Sequence, residues 1–136
     1  MVPQNIQKQI TDFVLGDITA EEFAIFLEAH PAAVGELIET EVYPYFHDAY
    51  GVEVEDLEVD SVKIDHISYD ENAKFVYISG SLVGVIESMT AVTETVGVEM
   101  NFDIDVFAPP PIFDSLKFTG YPPRDRIDLE VSKIQK

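Results

Sequence analysis

The chain predicts an α+β domain: short N-terminal helices packed on a curved, mainly antiparallel sheet of four or five strands. Three observations predict it. Apolar residues recur at helical spacing up to about Gly51, they alternate with period two from Val52 onward, and that alternation changes parity in a way only a bent sheet accommodates.

In the first element Ile6, Ile10, Phe13 and Val14 fall on one helical face, and Gly16 with Asp17 breaks the pattern. A second helix starts at "ITAEEF": Thr19 is placed to cap it, Glu22 completes a capping box, and Ile18 can staple to Phe23. Its core face is Phe23, Phe26 and Leu27. Pro31 suits the first turn of a third helix with Val34, Leu37, Ile38 and Val42 as its buried stripe. Pro44 is expected to stop or kink this helix, and "YPYFHDAYG" to add an aromatic turn closing at Gly51.

The sheet begins with a segment whose inward residues switch twice: Val52 and Val54 are even-numbered, Leu57 and Val59 odd, Val62 and Ile64 even again. Each switch requires a bulge or bend, because a strand alternates strictly otherwise. "YDENAK" is a turn by composition. The run "KFVYISGSLVGVIESM" is apolar on both faces and predicts a central strand covered on each side. Next comes Val92 to Val106, "VTETVGVEMNFDIDV", whose even-numbered side chains from Val96 are apolar. At about 3.4 Å per residue such a strand spans roughly 50 Å, more than a domain of this size is wide, so it bends. A turn near Ala91 sets Gly84 opposite Val98 and Gly97 opposite Val85, level with the parity break at Asp60 and Ser61. Glycines and a bulge in line across three strands curve a sheet around an object, here the helices. Pro109, Pro110 and Pro111 form a rigid connector, Ile112 to Phe118 adds a short strand, and "IDLEVSKI" is a final strand at an edge.

The expectation is therefore one domain over 1–136, helical in 1–51 and a β-meander in 52–136. A chain of 136 residues buries roughly two-thirds of its unfolded surface and needs no disulfide or metal staple. Cysteine is absent, which removes disulfides and thiolate metal sites. The start "MVPQNIQKQI" lacks a signal-peptide pattern, and no 18-residue apolar run occurs, so a cytoplasmic protein with no membrane association is expected.

Charge carries most of the functional information. The net charge is −18, and Gln9 to Val62 holds 14 acidic residues without a Lys or Arg, whereas Lys117 to Lys136 holds five basic and three acidic residues. Direct nucleic-acid binding is not expected, because it needs cations to displace counterions from phosphates. A basic protein partner is expected, since opposite fields accelerate encounter. Its candidate contacts are Glu53, Glu55, Asp56, Glu58 and Asp60 at the helix-to-sheet junction, with Glu99, Asp103 and Asp105 along one strand face. The last three are interleaved with Phe102 and Ile104 on a straight ladder, whereas a calcium loop needs a flexible turn with a glycine and a distal glutamate. No metal or cofactor is expected.

Tyr43, His47 and Tyr50 share helical spacing beside Asp48, and His66 follows Val62 and Ile64 at strand spacing. These four define an alternative: a ligand-binding or enzymatic pocket between helices and sheet. Nucleophile-elbow, Walker and zinc-protease motifs are absent, so no catalytic residue is assigned. The leading expectation is a non-enzymatic, acidic protein-binding module of the inhibitor, immunity or antitoxin-like kind.

Overall fold

The computed structural model of the chain describes residues 3–89, 93–108 and 126–135. Three helices, α1 (Gln4–Val14), α2 (Ala20–Ala29) and α3 (Pro31–Tyr50), precede four strands, β1 (Val54–Asp70), β2 (Phe75–Met89), β3 (Thr93–Phe107) and β4 (Arg126–Gln135). The strands form one open antiparallel sheet in the order β1-β2-β3-β4, an α+β fold.

The helix starts and stops follow local chemistry. α1 ends before Gly16, whose φ of +83° a side chain would resist. The Thr19 side chain accepts from the Glu22 amide and the Glu22 carboxylate accepts from the Thr19 amide, both at 3.1 Å, so the capping box is complete. His30 ends α2 and caps α3, with Pro31 in the first turn, and Gly51 closes α3 in the left-handed conformation. Pro44 does not stop α3. It stands on the exposed side, while Val42 and Phe46 are buried on either side of it, so burial of the flanking residues holds the helix through the missing amide.

One face of the sheet receives the helices. Val76, Ile78, Leu82 and Ile86 of β2 and Val96, Val98, Met100, Phe102, Ile104 and Val106 of β3 are buried on it, against a helical layer that includes Ile6, Ile10, Phe23, Leu27, Val34, Ile38 and Phe46. A fully buried side chain of this kind contributes about 1.5–3 kcal/mol. α3 is close to both edge strands, β1 and β4, so the sheet curls around it.

The curl has a visible origin. β1 carries three register shifts against β2, at Val54/Asp56, Val59/Ser61 and Ile64/His66, which leave Glu55, Asp60 and Asp65 as the extra residues. Gly84 stands opposite Val59 and Gly80 opposite Ile64, each beside one of the shifts. A Cβ on Gly84 would run into the Glu58 carbonyl oxygen and lie 3.1 Å from Val59 Cα. One on Gly80 would run into the Lys63 carbonyl oxygen and lie 3.2 Å from both Ile64 Cα and Phe102 Cζ. β1 thus folds over β2 at two points where only glycine leaves room. The expected alignment of Gly84 with Val98 and Gly97 with Val85 is present.

Two expectations are corrected here. The parity of β1 switches three times, because Ile67 and Tyr69 return to odd-numbered inward positions after the Ile64/His66 shift. His66 is thereby turned to the outside of the sheet and is exposed, away from the pocket expected between helices and sheet. β2 is central, yet only its helix-facing side is covered by described residues, and Val83 is 44% exposed on the other. The pairing of β2 with β3 runs to Met89 with Thr93, and the turn was expected near Ala91. That turn, the proline connector and the short strand expected over 112–118 lie outside the described residues, while the final strand is β4, at the edge as expected.

Candidate functional site

The side of the sheet turned away from the helices is built by strand parity. β2 and β3 present their odd-numbered residues there and β4 its even-numbered Asp128 and Glu130. β1 contributes Asp56, Glu58, Ser61, Lys63, His66 and Ser68, brought to one face by the three bulges. Cross-strand rows follow from the register. Asp103 lies between Ser79 and Asp128, Asn101 between Ser81 and Glu130, and Asp56 faces Glu87. Like charges directly opposite one another, as at Asp103/Asp128 and Asp56/Glu87, oppose pairing. Lys63 of β1 lies on the same face, and the register sets Arg126 and Lys133 of β4 opposite Asp105 and Glu99.

The expected partner contacts divide into two groups. Asp60 and Glu99 meet at a dimple of ≈ 180 Å³ whose other walls are Val83, Gly84, Val85, Gly97 and Val98. Asp103 and Asp105 continue the same face further along β3. There the Tyr77 hydroxyl donates to Asp103 Oδ1 at 2.8 Å, and His66 lies against the Tyr77 ring at 5.9 Å. That hydrogen bond, with the negative charge of Asp103 and Asp105 nearby, raises the Tyr77 pKa above its ordinary 10.0. Glu53 and Glu55 are exposed at the start of β1, and the Tyr43 hydroxyl reaches the Glu55 carbonyl at 3.5 Å. Asp56 and Glu58 also line an open groove of ≈ 910 Å³ between β1 and the first half of α3, together with Glu36, Glu39 and His30. Burial, then Glu39 and Asp56, raise the Tyr43 pKa.

The alternative constellation is not brought together. Tyr43, His47 and Tyr50 are on α3, which lies on the helical side of the sheet, whereas His66 is on the opposite face against Tyr77. His47 is exposed beside Asp48, 3.3 Å from its carboxylate, and Tyr50 rests on Tyr45 and Phe46. The groove beside α3 is lined instead by His30, whose Nδ1–H donates to the Phe26 carbonyl at 2.8 Å and whose ring stacks on Phe26.

Sequence reasoning missed Glu87, Asp128 and Glu130 as members of the acidic face and Glu36 and Glu39 as members of the groove. The first three were recoverable by carrying the alternation through "VGVIES" and "IDLEV". The last two depend on how α3 docks on β1. Among the described residues no group of three or more His, Asp or Glu side chains is placed to hold a metal ion. No helix among them is long and apolar enough to cross a membrane. Comparison with family models, curated proteins and solved structures finds no match.

Proposed function

We propose that the chain is a non-enzymatic protein-binding module that engages a basic protein partner through the uncovered face of its sheet. An inhibitor, immunity or antitoxin-like neutraliser of a basic or nucleic-acid-binding protein works in this way. One observation carries the reading: the face without helices gathers Glu58, Glu87, Glu99, Asp103, Asp105, Asp128 and Glu130 on four adjoining strands, seven carboxylates against Lys63 of β1 and the Arg126 and Lys133 that stand opposite Asp105 and Glu99 on β4. Carboxylates used only for solubility need no common face. Gathered on one, they build a potential that steers a cation-rich surface into register, at the cost of repulsion within the sheet.

The test separates face from net charge. Glu99→Gln, Asp103→Asn and Asp105→Asn together take the net charge from −18 to −15, and so do Asp17→Asn, Glu41→Gln and Asp48→Asn on the helical side. All three helical-side residues are exposed. Wild type and both triples, immobilised and exposed to lysate of the source cell, should differ. The helical-side triple retains the basic proteins that wild type retains, and the sheet-face triple loses them. Equal retention by the two triples contradicts the proposal.

A further inference from the structure

The carboxylates alone do not set one part of the acidic face above another, but the dimple between Asp60 and Glu99 does. Its volume, ≈ 180 Å³, is below the ~300–1,000 Å³ typical of small-molecule sites. It suits one side chain. Its walls are apolar: Val83, 44% exposed, and Val85, with backbone of Gly84 and Val98. The space exists because the outward position of β3 opposite Val85 is Gly97, which has no side chain to fill it. An exposed valine in a concavity flanked by two carboxylates, of which Glu99 also stands opposite Lys133 of β4, matches a side chain with an apolar stem and a positive head.

We propose that this dimple receives a lysine or arginine side chain of the basic partner, its stem on Val83 and Val85 and its cation between Asp60 and Glu99. The proposal rests on the reading of the acidic face and specifies where on it a partner is anchored. Desolvation favours such an anchor over the remaining contacts, since a stem that covers Val83 also excludes water from the ion pairs. Carboxylates on a flat face attract equally any cation of the same charge, whereas the dimple distinguishes cations by stem length.

Three acetylated decapeptides of equal charge serve as probes: alternating serine with lysine, with arginine, or with diaminopropionate, which carries its ammonium on a single methylene. Binding is followed by amide chemical shifts of the labelled protein. The lysine or the arginine peptide should perturb Gly84, Gly97 and their neighbours most, and bind about tenfold more tightly than the short-stemmed peptide. The stronger of the two identifies the preferred head group. Gly97→Val fills the dimple without changing charge and should bring all three affinities to the level of the short-stemmed peptide. Val83→Ser, which removes the apolar wall at an exposed position, should reduce the difference in the same direction and serves if Gly97→Val does not fold. Equal affinity for all three peptides in wild type, or undiminished stem preference in the folded variants, overturns the dimple while leaving the acidic face in place. Absence of binding by every peptide at low salt overturns both.

Discussion

Replacing Gly84 by alanine probes the curvature of the sheet that carries the acidic face. The added Cβ would sit 3.1 Å from Val59 Cα and 3.3 Å from the Glu58 carbonyl carbon, with the Glu58 oxygen closer still. Carbon atoms are at their best separation near 3.5–4.0 Å. All three neighbours are backbone of β1 at its second bulge, so no rotamer change relieves the contact, and β1 has to retreat from β2. Overpacking of this kind costs about 1–3 kcal/mol. Alanine returns about 0.4–1 kcal/mol by restricting the unfolded chain, leaving a net loss of roughly 1–2 kcal/mol. For a chain of this length that lowers Tm by about 3–7 °C. Urea unfolding and thermal scans of Gly84→Ala against Gly97→Ala make the assay internal. Gly97 faces outward in a regular ladder, so alanine there should be neutral or stabilising. A Gly84→Ala variant within about 0.5 kcal/mol of wild type, a margin ordinary for surface substitutions, would refute the close approach of β1 to β2.

Thr19→Ala removes one half of the α2 capping box and should cost about 1 kcal/mol in urea unfolding; an unchanged midpoint would show the cap to be energetically idle. Tyr77→Phe should cost about 0.5–1.5 kcal/mol, toward the lower end because the bond to Asp103 is exposed. Its pH signature follows from the raised folded pKa. The contribution of the protonated phenol is complete below the ordinary tyrosine value of 10.0 and is lost as pH climbs through it toward the folded value, so the variant should lose less stability than wild type along that alkaline limb. An equal loss in both would detach Tyr77 from Asp103. Neutralising Glu99, Asp103 and Asp105 together should change stability by no more than about 1 kcal/mol, as checked by the urea midpoint, because Asp103 faces Asp128 while Glu99 and Asp105 stand opposite Lys133 and Arg126, and ion pairs at a surface contribute little to folding; unfolding of the triple would make these residues structural.

What could be read from the chain was what depends on neighbours in sequence. The capping box needs only Thr19 and Glu22 three positions apart, and it forms as written. The opposition of Gly97 to Val85 needed only parity and a turn near Ala91. The third bulge was hidden because Val62, Ile64 and His66 continue a plausible alternation, and only Ile67 with Tyr69, beyond it, reveals the slip. Passage of α3 through Pro44 is a tertiary effect, set by burial of Val42 and Phe46 against other elements. Val83 and Val85 read as buried because apolar residues on both faces of a strand usually are, and only the position of the helices, on one side, shows that they line an open surface. The acidic face was half legible for a related reason: Glu99, Asp103 and Asp105 share one strand, whereas their joining with Glu87, Asp128 and Glu130 is a product of strand order and register.

The central claim is that the location of the carboxylates, not their number, directs binding. It is tested most directly by the association rate with the most basic protein retained from the source cell, measured by stopped flow at low and at about 0.15 M salt, where charges are screened over about 8 Å. For wild type and for the Asp17→Asn, Glu41→Gln, Asp48→Asn triple, the account predicts fast association that falls steeply with salt. For the Glu99→Gln, Asp103→Asn, Asp105→Asn triple it predicts slower association with a flatter salt dependence at the same net charge of −15, three neutralisations from −18. Identical rates and salt slopes for the two triples would contradict it.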